Sequence, residues 1–426
     1  MGQLALAGFI LTDKPAEADV IVVNTCDFIG PATAESREAI RQAAVLKRDG
    51  RCRGLVVAGC MAQRRREALL NDYPEIDAVV GVFERDRIVE ASSRCLEPRG
   101  GPDTLARGLT LVSGPHAVHP DVERFRLTPR HTAYLRIAEG CDNRCAYCVI
   151  PAIRGPLRSK PMDVVLGEAC ELAADGAREL NLIAQDTTAY GRDTPGGPTV
   201  VDLMRELVRV KGVRWIRLLY AHPARLTDAC IDLMARSRTI CRYVDLPLQH
   251  ASDSVLAAMG RRVTADRVRA LIARLRDRIP GVTIRTTFIV GFPGETDDDF
   301  EALLALVREA RFERLGAFLY SPEPGTPAAG RTDQIDDAVK RARFDQLMTL
   351  QQRIAFEQNR AFVGTTMRVM VDGPSPRFSD RSLARGQAHA PDIDGGVHVK
   401  GDLPPGAFLA VRITGWKDYD LLAERA

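Results

Sequence analysis

The run Gly140-Cys141-Asp142-Asn143-Arg144-Cys145-Ala146-Tyr147-Cys148 sets three thiols at C-x3-C-x2-C spacing, just after an apolar strand pattern at residues 133–138. Thiolates three and four residues apart in a tight loop reach three corners of an iron-sulfur cubane. A loop that supplies only three ligands leaves the fourth iron open to an exogenous molecule, whereas a closed structural site wants four. The competing chemistry is a zinc site that borrows a distant ligand. Against it, the chain offers no second C-x2-C pair to complete such a site.

With Tyr147 immediately before the third cysteine, the run resembles the signature of the radical S-adenosylmethionine (SAM) superfamily. The resemblance implies a 4Fe-4S cluster held by Cys141, Cys145 and Cys148. Its open iron would chelate the amino and carboxylate groups of SAM and pass on the electron that cleaves SAM to a 5'-deoxyadenosyl radical.

The elements that must position this loop repeat strand and helix six times over residues 129–331, with strands near 133–138, 179–184, 215–220, 243–248, 282–290 and 314–320. Six such units predict a parallel, right-handed, partly closed barrel, the open form that radical SAM cores share. Active sites of such barrels lie at the carboxyl ends of the strands. Those ends carry Gln185-Asp186, Tyr220-Ala221-His222-Pro223, Gln249-His250, Gly291-Phe292-Pro293-Gly294-Glu295 and Tyr320-Ser321-Pro322-Glu323. So many polar side chains at one rim are better explained by a shared polar ligand than by packing. Gln185 and Gln249 are candidates for holding SAM, with Tyr147, Gly291 and Glu295 beside them, and Asp186 is the candidate for touching substrate. Gly291 and Gly294 either let the backbone approach the adenosine or shape a turn. His250 either contacts a ligand or orients the helix start at Ser252-Asp253.

Residues 1–96 alternate Val-rich runs (18–24, 54–58, 78–81) with helical patterns such as 34–48, the pattern of a Rossmann-like α/β domain with a parallel sheet. Cys26 and Cys60 each follow one of the first two strands, so the two thiols should converge at one edge of the sheet. Read alone, they are equally two buried thiols at strand ends. Asn24-Thr25-Cys26 and Gly59-Cys60-Met61-Ala62-Gln63-Arg64 resemble the amino-terminal domain of the methylthiotransferases, radical SAM enzymes that insert sulfur and a methyl group into a C-H bond. In that family three cysteines hold an auxiliary 4Fe-4S cluster, and the resemblance maps two of them to Cys26 and Cys60. The first has no counterpart here. The expectation is that the amino terminus is truncated by a start codon placed too far downstream, with an opening strand and its cysteine lying upstream of Met1.

Residues 97–128 read as a linker rich in Gly, Pro and Arg, and 332–362 as a connecting helix. Residues 363–426 switch to short β runs (366–371, 395–399, 407–412) and predict a small β-barrel. This tail resembles the TRAM domain, which binds RNA in several relatives. Eight Lys and Arg stand against eight Asp and Glu there. RNA-binding surfaces draw much of their affinity from phosphate neutralisation, so a protein partner is the better expectation. The whole chain of 426 residues carries a net charge of +3, which argues for neither a polyanion nor a membrane partner. Ten irregularly spaced cysteines fit a reducing compartment, the cytoplasm, rather than a disulfide framework.

Long phrases, among them Cys145 through Gly155, Gln185-Asp186-Thr187-Thr188 and Arg285-Thr286-Thr287-Phe288, place the resemblance in the branch of the family that modifies a ribosomal protein. The tRNA-modifying branch carries Gln-Asn where this chain has Gln185-Asp186, and a basic tail. The implied activity is methylthiolation of an aspartate β-carbon on small-subunit ribosomal protein twelve. It would use two 4Fe-4S clusters, SAM and a reductant such as flavodoxin or ferredoxin, in a monomeric protein. Methylthiolation of a tRNA adenosine is the alternative within the family. A noncatalytic iron-sulfur or zinc scaffold is the alternative outside it.

Overall fold

Valine-rich runs without polar interruption suit strands covered on both faces, and three of them pair in parallel as β1 (Val20–Thr25), β2 (Gly54–Gly59) and β3 (Ala78–Val80). A fourth parallel strand, β4 (Leu109–Leu111), adds to β3. It comes from the stretch read as a linker, which therefore extends the first domain. The computed structural model describes residues 1–97, 108–116, 118–121, 124–126 and 128–426, so part of that stretch lies outside the described residues. Before β1, the short helix Gly2–Leu6 closes at Gly8, which takes a left-handed φ of 88°.

The second sheet is parallel throughout. It is built from β5 (Thr132–Arg136), β8 (Glu179–Ile183), β9 (Trp215–Leu218), β10 (Ile240–Asp245), β11 (Thr283–Val290) and β12 (Arg314–Leu319), adjacent in that order. Between β5 and β8, β6 (Ala138–Glu139) and β7 (Arg158–Ser159) form a small antiparallel pair that frames the cysteine loop. Leu135, Leu180, Leu182, Ile216, Leu218, Val244 and Ile284 point from the sheet into the principal apolar core, which they share with the covering helices. Two of these helices start at reciprocal caps, Thr199 with Asp202 and Thr296 with Asp299.

The sheet does not close. Its β5 edge is covered instead, with Arg124 Nη1 donating to Tyr134 O at 2.6 Å and Arg126 Nη2 to Thr132 O at 2.8 Å. The connecting helix, Asp337–Phe362, buries Leu347 and Ile354 as its pattern predicts. It leads into a closed five-stranded barrel with strands adjacent in the order β13 (Thr366–Pro374), β14 (Arg381–Gly386), β15 (Val397–Lys400), β17 (Asp420–Arg425), β16 (Phe408–Lys417).

This terminal barrel fills the lower concave face of the open sheet. Trp215, Leu219, Cys241 and Tyr243 share an apolar cluster with Met370 and Ala390, and the Trp215 and Phe408 rings meet edge to face at 5.0 Å. Beside them Glu179, fully buried, accepts from Arg217 Nη2 at 2.9 Å, from the Thr132 hydroxyl at 2.7 Å and pairs with Arg385 at 2.8 Å. Arg385 also grips Asp372, which holds His131 Nε2 at 2.9 Å. Buried charges persist only when so paired, because desolvating each ion costs several kcal/mol.

Candidate active site

The cysteine loop is entered through Gly140 at φ +81°, where a Cβ would lie 2.0 Å from Pro156 O. Only glycine allows that approach. The loop is then tied to three distant segments: Cys141 N donates to Gly155 O (3.1 Å), Ala146 N to Met259 O (2.9 Å), and Ala328 N to Ala146 O (2.9 Å). Backbone amides meet two of the sulfurs, Asn143 N at Cys141 Sγ and Ile150 N at Cys148 Sγ, both at 3.4 Å, and Arg261 Nη1 lies 3.9 Å from Cys145 Sγ. Burial pushes the Cys148 thiol up to about 12 and raises Cys141 as well. Iron binding must therefore displace protons, and the amides are placed to stabilise the resulting thiolates.

Among the described residues no three His, Cys, Asp or Glu side chains gather around a point that one metal ion would occupy. Three thiols spread over an eight-residue loop, with amides at two of their sulfurs and no fourth ligand in the run, fit a cubane that takes one thiolate per iron. Tyr147 wedges the loop against Val255, Met259, Phe292 and Tyr320, and burial beside Cys145 drives its phenol well above the ordinary range.

Asp186 lies beneath this loop. Its Oδ2 accepts from Asn143 Nδ2 at 3.1 Å and from Arg225 Nη1 at 2.5 Å, and its Oδ1 from the Thr188 hydroxyl at 2.6 Å. Arg225 Nη2 closes the ring on Asn143 Oδ1 at 2.8 Å. At 2% exposure the carboxylate is packed against the loop, with both oxygens hydrogen-bonded. Gln185 gives its amide nitrogen to Glu139 at 3.4 Å, while its buried Oε1 has no partner. Gln249 sits at φ +77°, sewn to β11 through Thr287 O and Ile289 N, and no described residue hydrogen-bonds its side-chain amide. Burial beside Arg261 and Arg225 pushes His222 down to about 3, which keeps it neutral.

The β11 turn packs closely on the segment that follows β12. At Gly291 (φ +72°) a Cβ would lie 2.2 Å from Lys340 Cγ, and at Gly294 one would meet Asp333 and Arg331, so the Cβ side of both glycines is filled by the connecting segment. Glu295 is likewise consumed. Its Oε2 accepts from Gly291 N (2.8 Å) and Phe292 N (3.2 Å), and its Oε1 from Arg343 (2.8 Å). His250 turns Nδ1 to Ser252 N at 3.1 Å, the orienting role, with Nε2 3.5 Å from Glu295.

Cys26 and Cys60 directly follow Thr25 and Gly59, which the β1–β2 register pairs, so the two residues leave neighbouring strands at one edge of the sheet. Arg154, six residues after Cys148, donates Nη2 to Cys60 Sγ at 3.2 Å and Nη1 to Glu139 at 2.9 Å. Gly30 N donates to Glu323 Oε1 at 2.8 Å, and Arg64 Nη2 to Pro324 O at 2.5 Å, docking the first domain on the rim of the second. Sequence reasoning missed Arg154, Asn143 and Arg225. Only the first two lie inside phrases it had singled out.

Residues 1–81 match the uncharacterized protein family UPF0004, residues 135–307 the radical SAM superfamily and residues 363–425 the TRAM domain. Over 426 residues the chain is 46% identical to the ribosomal protein uS12 methylthiotransferase RimO of Geobacter sulfurreducens, covering all of this chain and 94% of that protein. The chain belongs to the RimO family of radical SAM methylthiotransferases. RimO of Anaeromyxobacter sp. (strain Fw109-5) is 47% identical over 99% of this chain and 88% of its own. The radical SAM methyltransferase TsrM of Kitasatospora setae, with cobalamin and a 4Fe-4S cluster bound, shares the fold at a TM-score of 0.52 and 19% identity, over 76% of this chain and 68% of its own. As a member of the RimO family the chain is an enzyme whose chemistry rests on an iron-sulfur cluster and SAM, and the terminal barrel is a TRAM domain.

Proposed function

We propose that this chain methylthiolates the β-carbon of an aspartate on ribosomal protein uS12. The observation that carries the reading is the convergence of two thiol sites across one domain boundary. Arg154, on the helix that follows the Cys141–Cys145–Cys148 loop, reaches the sulfur of Cys60 beside Cys26. A reaction that makes a carbon radical at one centre and delivers sulfur from another needs both within reach of one substrate atom.

Cys141, Cys145 and Cys148 would hold a 4Fe-4S cluster, which would supply the one-electron reduction of SAM. The protein's own part is positioning. Met259 and Ala328 hold the loop through its backbone, and Asp186 with Arg225 fixes Asn143 at its centre. The unpartnered Oε1 of Gln185 and the amide of Gln249 are the groups assigned to SAM, since a buried amide oxygen without a donor costs about 1–3 kcal/mol until a ligand satisfies it. Cys26 and Cys60 supply two of the ligands assigned to a second, auxiliary cluster. A flavodoxin- or ferredoxin-type reductant, action as a monomer and a cytoplasmic setting complete the reading.

Mass spectrometry of ribosomal proteins from cells with and without this chain tests it. The expected result is a methylthio addition on uS12 that requires the chain. A change confined to tRNA nucleosides would instead assign the tRNA reaction.

A further inference from the structure

A methylthiotransferase acting on aspartate must hold a carboxylate while hydrogen leaves the neighbouring carbon, and a carboxylate taken from water needs a cation with directed donors. Resting on the proposed function, we infer that Arg285 is the residue that binds the side-chain carboxylate of the substrate aspartate.

The register sets Arg285 beside Asp245, the last residue of β10, whose carboxylate holds Tyr220 N just past the end of β9. Hydrogen-bonded neighbours run across the sheet from Arg136 to Ile183, from Leu182 to Leu218 to Val244, and from Asp245 to Arg285 to Arg314. The row follows the last residues of β5 and β10, Arg136 and Asp245, and then meets β11 at its third residue, Arg285, and β12 at its first, Arg314. Ile284 points into the outer core, and strand alternation turns Arg285 to the concave face. Arg314, on the same face of β12, lies 3.9 Å from Asp394 of the TRAM domain, which floors the cavity below.

Of the other guanidinium groups near this row, Arg314 donates Nη1 to Glu313 O at 3.0 Å and turns Nε toward Asp394, and three more are held by pairs of side chains. Arg136 spans Asp121 and Glu139, Arg154 spans Glu139 and Cys60, and Arg225 spans Asp186 and Asn143. Arg285 uses one nitrogen, Nη1, on Asp245 Oδ1 at 2.9 Å, and no described residue takes Nε or Nη2. Asp245, fully buried, spends its other oxygen on Tyr220 N at 2.9 Å and so clamps the guanidinium from behind. In front there is room. A Cβ on Gly316 would meet nothing within 4 Å, and Phe318, two residues further along the same face, is 54% exposed. Tyr220, held at φ +57° by the same clamp, is 43% exposed. A planar fork with one edge fixed and the other open, near the exposed Tyr220 ring, suits an aspartate side chain on a peptide loop.

The test is a double-mutant cycle on binding, read by fluorescence anisotropy with a labelled synthetic peptide of the uS12 loop carrying the target aspartate. The reconstituted holoenzyme is used with SAM present and no reductant. Arg285→Gln and the Asp→Asn peptide are each expected to weaken binding by about 30-fold or more, the scale for truncating one partner of a buried charge pair. Together they should weaken it little more than either alone, because both remove one contact. Because Arg285→Gln uncovers Asp245, the cycle is repeated with Arg285→Gln/Asp245→Asn, which leaves no unpaired charge. Additive losses in both backgrounds, or loss of SAM binding rather than peptide binding, would overturn the inference while leaving the proposed function intact. Failure of the unaltered protein to bind the peptide would overturn the proposed function, and the inference with it.

Discussion

Arg154 Nη2 donates to Cys60 Sγ across 3.2 Å, although the two residues lie 94 positions apart and in different domains. The same guanidinium holds Glu139 at the mouth of the cysteine loop. One side chain thus sets the spacing between the two thiol sites, and its removal should be felt at both.

Arg154→Leu is expected to destabilise the docked first domain by about 1.5–3 kcal/mol, the worth of hydrogen bonds to charged groups. Amide exchange would show it as faster opening of β1 and β2 with β8–β10 unchanged. Uniform exchange across the molecule, or none, would mean that Arg154 does not join the domains.

Asp186→Asn should lower cluster retention and SAM cleavage in the absence of substrate by similar factors. The carboxylate braces Asn143 through Arg225 rather than facing the cavity. Iron content after anaerobic reconstitution and 5'-deoxyadenosine yield would be compared side by side. Loss of methylthiolation with SAM cleavage untouched would return Asp186 to the substrate.

Replacing Cys141, Cys145 or Cys148 by Ala should abolish 5'-deoxyadenosine formation, whereas Cys170→Ala, Cys230→Ala and Cys241→Ala should retain it. Cys230 and Cys241 are buried, and burial pushes both thiols up to about 12, so they stay protonated and unreactive. Their removal should cost only about 1 kcal/mol of packing. A Cys241→Ala protein as inactive as Cys145→Ala would redraw the ligand set.

The Glu179–Arg385–Asp372 cluster makes the hold on the TRAM domain acid-labile. Arg385 and Arg217 lower the carboxyl of Glu179, and His131 and Arg385 lower that of Asp372. A folded pKa below the unfolded one gives stability that is complete above the unfolded value, about 4, and lost as pH falls through the folded values. Trp215 fluorescence, reporting on this interface, should therefore show its unfolding midpoint dropping below pH 4, and Glu179→Gln should flatten that dependence.

Much of this was legible in sequence because it is local. The cysteine spacing, the Val-rich parallel strands and the six strand–helix repeats each sit within one short window, and β1–β3 and the open parallel sheet follow from them. What escaped depends on contacts between distant segments. Gly291 reads identically whether its open side meets a ligand or Lys340. Asp121, in a stretch read as mere connection, binds Arg136 and Lys160, and nothing in its neighbourhood announces those partners. The TRAM strands β14 and β17 carry too few β-branched residues to stand out, and pairing with their neighbours completes the barrel.

The way the TRAM domain fills the open sheet also orders events during synthesis. Strands β5 to β12 leave the ribosome before Met370, Arg385 and Ala390 exist to cover Trp215 and Tyr243 or to complete the ion pairs that Arg217 begins on Glu179. A nascent chain halted near residue 360 would hold buried-type charges and aromatic rings against water. It should remain protease-sensitive and chaperone-bound until the last sixty or so residues emerge, since domains otherwise fold in turn from the amino terminus.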